Sequence, residues 1–122
     1  MGTNQVMTYA IEMPFAKALK RVRTALRAGD LEIAGELQLV PHCRLLLVDC
    51  PLLVFEGLAL DRAAGVYFPL HVMVRANGAH TEVSTMASES SDARLPAGAA
   101  GPIERLEQRV ADALDTLAAH SH

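Results

Sequence analysis

From Val6 to Met13 the side chains alternate, with Met7, Tyr9, Ile11 and Met13 set against Thr8 and Glu12. A period of two predicts a strand. Pro14 ends it. Phe15, Ala18, Leu19, Val22, Ala25 and Leu26 then recur at three- and four-residue spacing, which predicts an amphipathic helix stopped near Gly29. Alternation returns from Leu31 to Val40, placing Leu31, Ile33, Leu37 and Leu39 on one face against Glu32, Glu36 and Gln38. Gly35 falls on the apolar face, where a bulge or a close backbone approach is expected. Pro41 breaks this strand. Arg44 to Val48 follows and is apolar on both faces, as in a strand at mid-sheet or under another subunit.

Cys50 precedes Pro51, and a residue before proline is steered away from the α region. Cys50 therefore closes the strand, and Pro51 opens a short helix through about Leu60, which Gly57 weakens by about 1 kcal/mol relative to alanine. A continuous apolar strand is the alternative there. Asn77-Gly78 is the preferred pair for a two-residue type I′ turn. It predicts a hairpin in which Val74 faces Thr81 and Val72 faces Val83 on the inner surface, with His71 against Ser84, Met73 against Glu82 and Arg75 against His80 outside. After Met86 the chain is rich in Ser, Ala, Gly and Pro as far as Gly101, which reads as a surface loop. Pro102 opens a last helix whose stripe is Ile103, Leu106, Val110, Leu114 and Leu117. The expectation is one α+β domain over residues 1–122, ordered strand, helix, four strands, helix, with a short extra helix after the third strand. The ends, 1–5 and 119–122, are expected to be loosely held.

Apolar residues make up 51% of the 122, and with no Trp and few aromatics the core must be built from Leu, Val, Ala and Met. A net charge of −3 argues against nucleic acid as a partner, since binders of nucleic acid carry a basic excess. No run approaches the ~20 apolar residues of a membrane span, and no basic region followed by an apolar core marks a secretory signal. Two cysteines without an export signal point to a reducing, cytoplasmic setting.

The chain resembles the DUF302 proteins, small bacterial and archaeal domains with no assigned biochemical activity. The resemblance rests on Cys50-Pro51, Leu58 in the helix that follows, Phe68-Pro69 leading into Val72-Met73-Val74, and Tyr9-Ala10-Ile11 with the Phe15 helix. It spans about Val6 to Leu117. It implies a TBP-like β-α-β(4)-α fold, a curved antiparallel sheet with helices packed on one face, and it implies a homodimer. Two departures stand out. The longer insertion that many members carry between the second and third strands has no room between Gln38 and Arg44. The cysteines that a large subset places two residues before the first proline and directly after the second are Asp49 and Leu70 here.

His42, Cys43, Cys50, His71 and His80 are residue types that bind transition metals, but none forms a pair at ligand spacing. Cys43 and Cys50 bracket a strand, so at ~3.3 Å per residue they lie roughly 20 Å apart, too far for one disulfide or one metal shell. No metal and no cofactor are expected. Asp49, at the end of an apolar strand, reads as a cap for the Pro51 helix; as a general acid or base it would act with His42 or His71. The candidate pocket is thus Asp49, Cys50, Pro51, Pro69, His71 and His42. Along the outer side of the first helix Lys17, Lys20, Arg21, Arg23 and Arg27 stand without an acidic partner in the helix, a solvated face or an anion patch in which Lys17, Lys20, Arg21 and Arg27 are the candidates. The preferred expectation is a non-catalytic module, a homodimer holding a small-molecule or protein ligand. An enzyme built on Asp49 with His42 or His71, or an anion-binding module using the helix Lys17–Arg27, are the alternatives.

Overall fold

The computed structural model describes residues 5–87 and 100–119. Five strands, β1 (Gln5–Ile11), β2 (Glu32–Val40), β3 (Cys43–Asp49), β4 (Leu70–Asn77) and β5 (His80–Ala87), form one antiparallel sheet in the order β1-β5-β4-β3-β2. Helix α1 (Phe15–Ala28) connects β1 to β2, α2 (Pro51–Leu60) follows β3, and α3 (Ala100–Ala119) follows β5. A 3-10 helix, Arg62–Tyr67, leads from α2 towards β4 and has no counterpart in the periodicity of the sequence. The fold is α+β with an open sheet and its helices on one face. The loop expected after Met86 and the tail His120–His122 lie outside the described residues.

The core forms where the two amphipathic stripes meet the inner face of the sheet. Ala18, Leu19, Val22 and Leu26 of α1 and Leu106, Val110, Leu114 and Leu117 of α3 are buried against Ile11, Leu46, Val48, Val72, Val74 and Val83. Fully burying one such side chain is worth about 1.5–3 kcal/mol, so this layer supplies most of the driving force. Thr81 and Thr85 share the inner face and stay satisfied. The Thr81 hydroxyl donates to the Met13 carbonyl at 2.9 Å and that of Thr85 to the His71 carbonyl at 3.1 Å.

Helix α1 stops with Gly29 as its C-cap, as expected; Gly29 has φ −89°, and the left-handed position is Asp30 at φ 61°. The amide of Leu31 donates to Leu26 and that of Asp30 to Arg27, the paired bonds of a Schellman ending with Asp30 at the left-handed position. In β2, Ile33 opposes Val48, but it is Gly35 rather than Ala34 that opposes Leu47. This bulge reverses the faces from Gly35 to Gln38, so Glu36 opposes the buried Leu46 while Leu37 opposes Leu45 on the open side. Leu37 and Leu39, expected inside with Leu31 and Ile33, are exposed.

The hairpin exists, but its tip lies one residue later than predicted. Asn77 pairs with His80, leaving Gly78-Ala79 as the two turn residues. Gly78 alone in the turn has positive φ, 64°, as the first central position of a type II′ turn requires. The register moves by two residues, so Val74 meets Val83 and Val72 meets Thr85, with Met73 against Ser84 and Arg75 against Glu82. A shift of two keeps every side chain on its predicted face. In this register Glu82 bonds both Arg75 and Asn77. Replacing Gly78 with Val is expected to cost about 1 kcal/mol or more, since a β-branched residue resists φ of this sign. Urea unfolding measures it, and an unchanged midpoint refutes the strain at Gly78.

Candidate functional site

The face of the sheet away from the described helices leaves several large apolar side chains exposed. Cross-strand pairing sets out two apolar rows: Val6, Met86, His71, Leu47 and Gly35, then Thr8, Ser84, Met73, Leu45 and Leu37. Val6 is 66% exposed, Leu37 52%, Val40 58% and Met86 46%. Between the rows Val6, Leu45, Met73 and Met86 line a shallow hollow of about 160 Å³, and His71 and Ser84 are its polar groups. Such a hollow offers apolar contact and a single imidazole, not a convergent set of polar groups.

Asp49 ends β3 on this same face, directly across from Glu32. Its pKa is raised, first by burial and then by the Glu32 carboxylate. His71 pairs with Leu47, two residues before Asp49, so the two are diagonal neighbours, with Cβ atoms about 7–8 Å apart at that position in a sheet. Neither side chain makes a hydrogen bond or ion pair among the described residues. Asp49 does not cap α2 either: the N-cap is Cys50, and no side chain bonds there.

The other pocket candidates disperse. His42 sits in the β2–β3 turn with φ 60° and meets Phe15 edge-on at 5.6 Å, at the far end of β3 from Asp49 and so about 20 Å away. Cys50 faces inward and is buried, its sulfur 3.8 Å from Arg109 Nη1. Pro51 begins α2, and Pro69 follows Phe68 through a cis peptide bond just before β4. Cys43 and Cys50 are both free thiols. Tyr9 is inward too, its pKa raised by burial first and then by Asp115, so the phenol stays protonated at neutral pH and is no base. Among the described residues no three His, Cys, Asp or Glu side chains group as metal ligands. No described helix is long and apolar enough to cross a membrane.

The basic face of α1 divides in two. Arg23 turns to the sheet and donates from Nε and Nη2 to Glu36 at 2.7 and 2.6 Å, and Arg44 adds a third bond at 3.2 Å. Those bonds, led by that from Arg23, hold the Glu36 carboxyl below its ordinary range. The sequence hid this cluster because Glu36 reaches the helix side only through the bulge in β2. Lys17, Lys20, Arg21 and Arg27 are exposed, and among the described residues none has an acidic partner. Spacings of three and four bring like charges together at 17–20, 17–21, 20–23 and 23–27, with no acid in the helix to offset them. Each such pair costs an isolated helix about 0.2–0.5 kcal/mol.

A further apolar row runs along α2, where only Leu53 and Gly57 are buried and Leu52 and Phe55 are 78% and 75% exposed. Because α2 packs against α3 in the helix layer, this row is separate from the open sheet face. The apolar surfaces of β3 and of α2 are thus two separate surfaces.

No family model matches the chain, and no curated protein is similar to it in sequence. Among solved structures, an uncharacterized conserved DUF302 protein from Bacillus stearothermophilus superposes with a TM-score of 0.78, covering 90% of this chain and 95% of that one at 13% identity. The fold is DUF302-like.

Two carboxylates with opposite shifts make opposite predictions. The raised pKa of Asp49 means that ionisation costs stability above that pKa, a cost that vanishes below the ordinary value of 3.8. Asp49→Asn is therefore expected to raise Tm at pH 7, with the gain disappearing in acid; a loss at pH 7 contradicts it. Glu36 contributes stability above its ordinary value of 4.5, lost as pH falls through its lower native pKa. Glu36→Gln is expected to cost about 1–2 kcal/mol at neutral pH, shrinking in acid. A gap that does not depend on pH counts against the ion cluster.

Proposed function

We propose that this DUF302-like domain is a non-catalytic assembly module that pairs with a second copy through the open face of its sheet. The observation that carries the reading is the apolar surface of Val6, Leu37, Leu45, Leu47, Met73 and Met86, which none of the described helices covers. Chains that work as monomers rarely leave an apolar patch larger than a few hundred Å² in water.

Area and shape suit a two-fold pairing. Five strands spaced about 4.8 Å apart and seven to nine residues long present roughly 500 Å² in plan, and side-chain relief brings this towards the ~800 Å² per partner of a stable interface. Two such faces pack about 10 Å apart, and the same patch meets itself across the axis. The hollow around Met73 then closes against the partner, which leaves room for a small apolar molecule beside His71. In this arrangement His71 selects what sits in the hollow, and no carboxylate among the described residues contacts it.

Light scattering at micromolar concentration is expected to give twice the 13.1 kDa chain mass. Leu37→Glu, at a position already half exposed, is expected to return the mass to that of one chain with an unchanged circular dichroism spectrum. A wild-type mass of one chain at all accessible concentrations ends this reading.

A further inference from the structure

We infer that the exposed cationic row of α1 is a docking surface for a short acidic segment of another protein. Lys17, Lys20 and Arg21 lie within about one turn, and Arg27 continues the row near the end of the helix. All four are exposed and unpaired among the described residues, whereas Arg23, Arg75 and Arg105 each hold a carboxylate. The row also works against its own helix through like-charge neighbours at three- and four-residue spacing. A local rule broken without compensation within the fold is expected where a surface serves a partner.

Charge decides the class of that partner. Five of the eleven basic residues lie on α1, while the other six share the remaining chain with all fourteen acidic ones. From Lys17 to Arg27 the row runs about 15 Å, the length of about five extended residues. A segment of that size sits wholly on the positive strip. Duplex nucleic acid, with one charge per ~1.7 Å over a longer track, runs on into the acidic remainder, and the strip offers no aromatic or amide side chain to read bases. A membrane surface is a poor match because the apolar face of α1 is already spent in the core. A second copy matches less well too. The exposed carboxylates beside the row, Asp112 and Asp115 of α3, are two against four free cations, so two helix faces brought together keep an excess of positive charge.

The test is fluorescence anisotropy of the full chain with a labelled peptide of about six glutamates, at low ionic strength and at about 0.15 M salt. Binding that weakens with salt and drops at least tenfold in the double variant Lys20→Glu, Arg21→Glu supports the inference. Arg105→Gln, which loses a cation elsewhere, is expected to bind as the wild type does. The double variant replaces like-charge contacts with opposite ones, so its Tm is expected to hold or rise while binding falls. A merely structural role predicts the reverse. Equal binding by the double variant overturns the inference, as does tighter binding to duplex DNA or to vesicles containing phosphatidylserine. Self-association abolished by the double variant also overturns it, in favour of a second copy. The same titration with Leu37→Glu is expected to be unchanged, so failure of the sheet-face dimer leaves this result readable.

Discussion

A five-stranded antiparallel sheet has two faces, and the helices here cover one. Almost every feature of the domain follows from that constraint. The stripes of α1 and α3 bury inner residues of β1, β3, β4 and β5, with Val72, Val74 and Val83 at the centre, while every residue of β2 stays at least partly exposed. The opposite face keeps the same apolar character on β3 and the ends of β1 and β5, and no described helix lies across it. A strand that is apolar on both sides, Leu45 to Val48, makes sense only if both faces are meant to be dry. That mismatch between a two-sided strand and a one-sided helix layer underlies the assembly reading.

The bulge in β2 is the second organising element. One extra residue between Ile33 and Gly35 exchanges the faces of the residues from Gly35 to Gln38, and a second irregularity before Val40 exchanges them back. Glu36 passes under α1, where two guanidinium groups receive it, and Leu37 passes to the open side, where it extends the apolar surface. A single backbone irregularity thus supplies both a partly buried ion cluster that ties helix to sheet and part of the surface assigned to pairing. A Cβ at Gly35 would lie 3.4 Å from Leu47 Cδ1, the near edge of ordinary contact.

The electrostatics are uneven in a way the fold does not require. Arg23 contributes to the structure through Glu36, but its neighbours on α1 contribute nothing that the described residues show. The acidic groups sit mainly on α3, at the sheet ends and in the hairpin, leaving α1 as a positive strip on an otherwise negative molecule. The apolar face and the charged strip lie on opposite sides of the sheet. A paired sheet would therefore leave both strips free for other partners.

Hydrophobic period determined the buried stripes of α1 and α3, because burial selects side chains by position along a regular repeat, and the restriction before proline set the start of α2 at Pro51. The period also determined which side chains of β4 and β5 face the core, although the turn fell one residue late: Asn77-Gly78 and Gly78-Ala79 are both acceptable local solutions, and in the register that forms Glu82 bonds both Arg75 and Asn77. Tertiary structure decided the rest. Whether β2 keeps its period past Gly35 depends on a neighbouring strand, so the positions of Glu36 and Leu37 could not be read from alternation. His42 and His71 were equal candidates in the sequence as partners of Asp49, yet β3 holds His42 and Asp49 at opposite ends while pairing with β4 brings His71 to the same face as Asp49. Distances across a sheet are set by register, and register is settled by contacts between residues far apart in the chain.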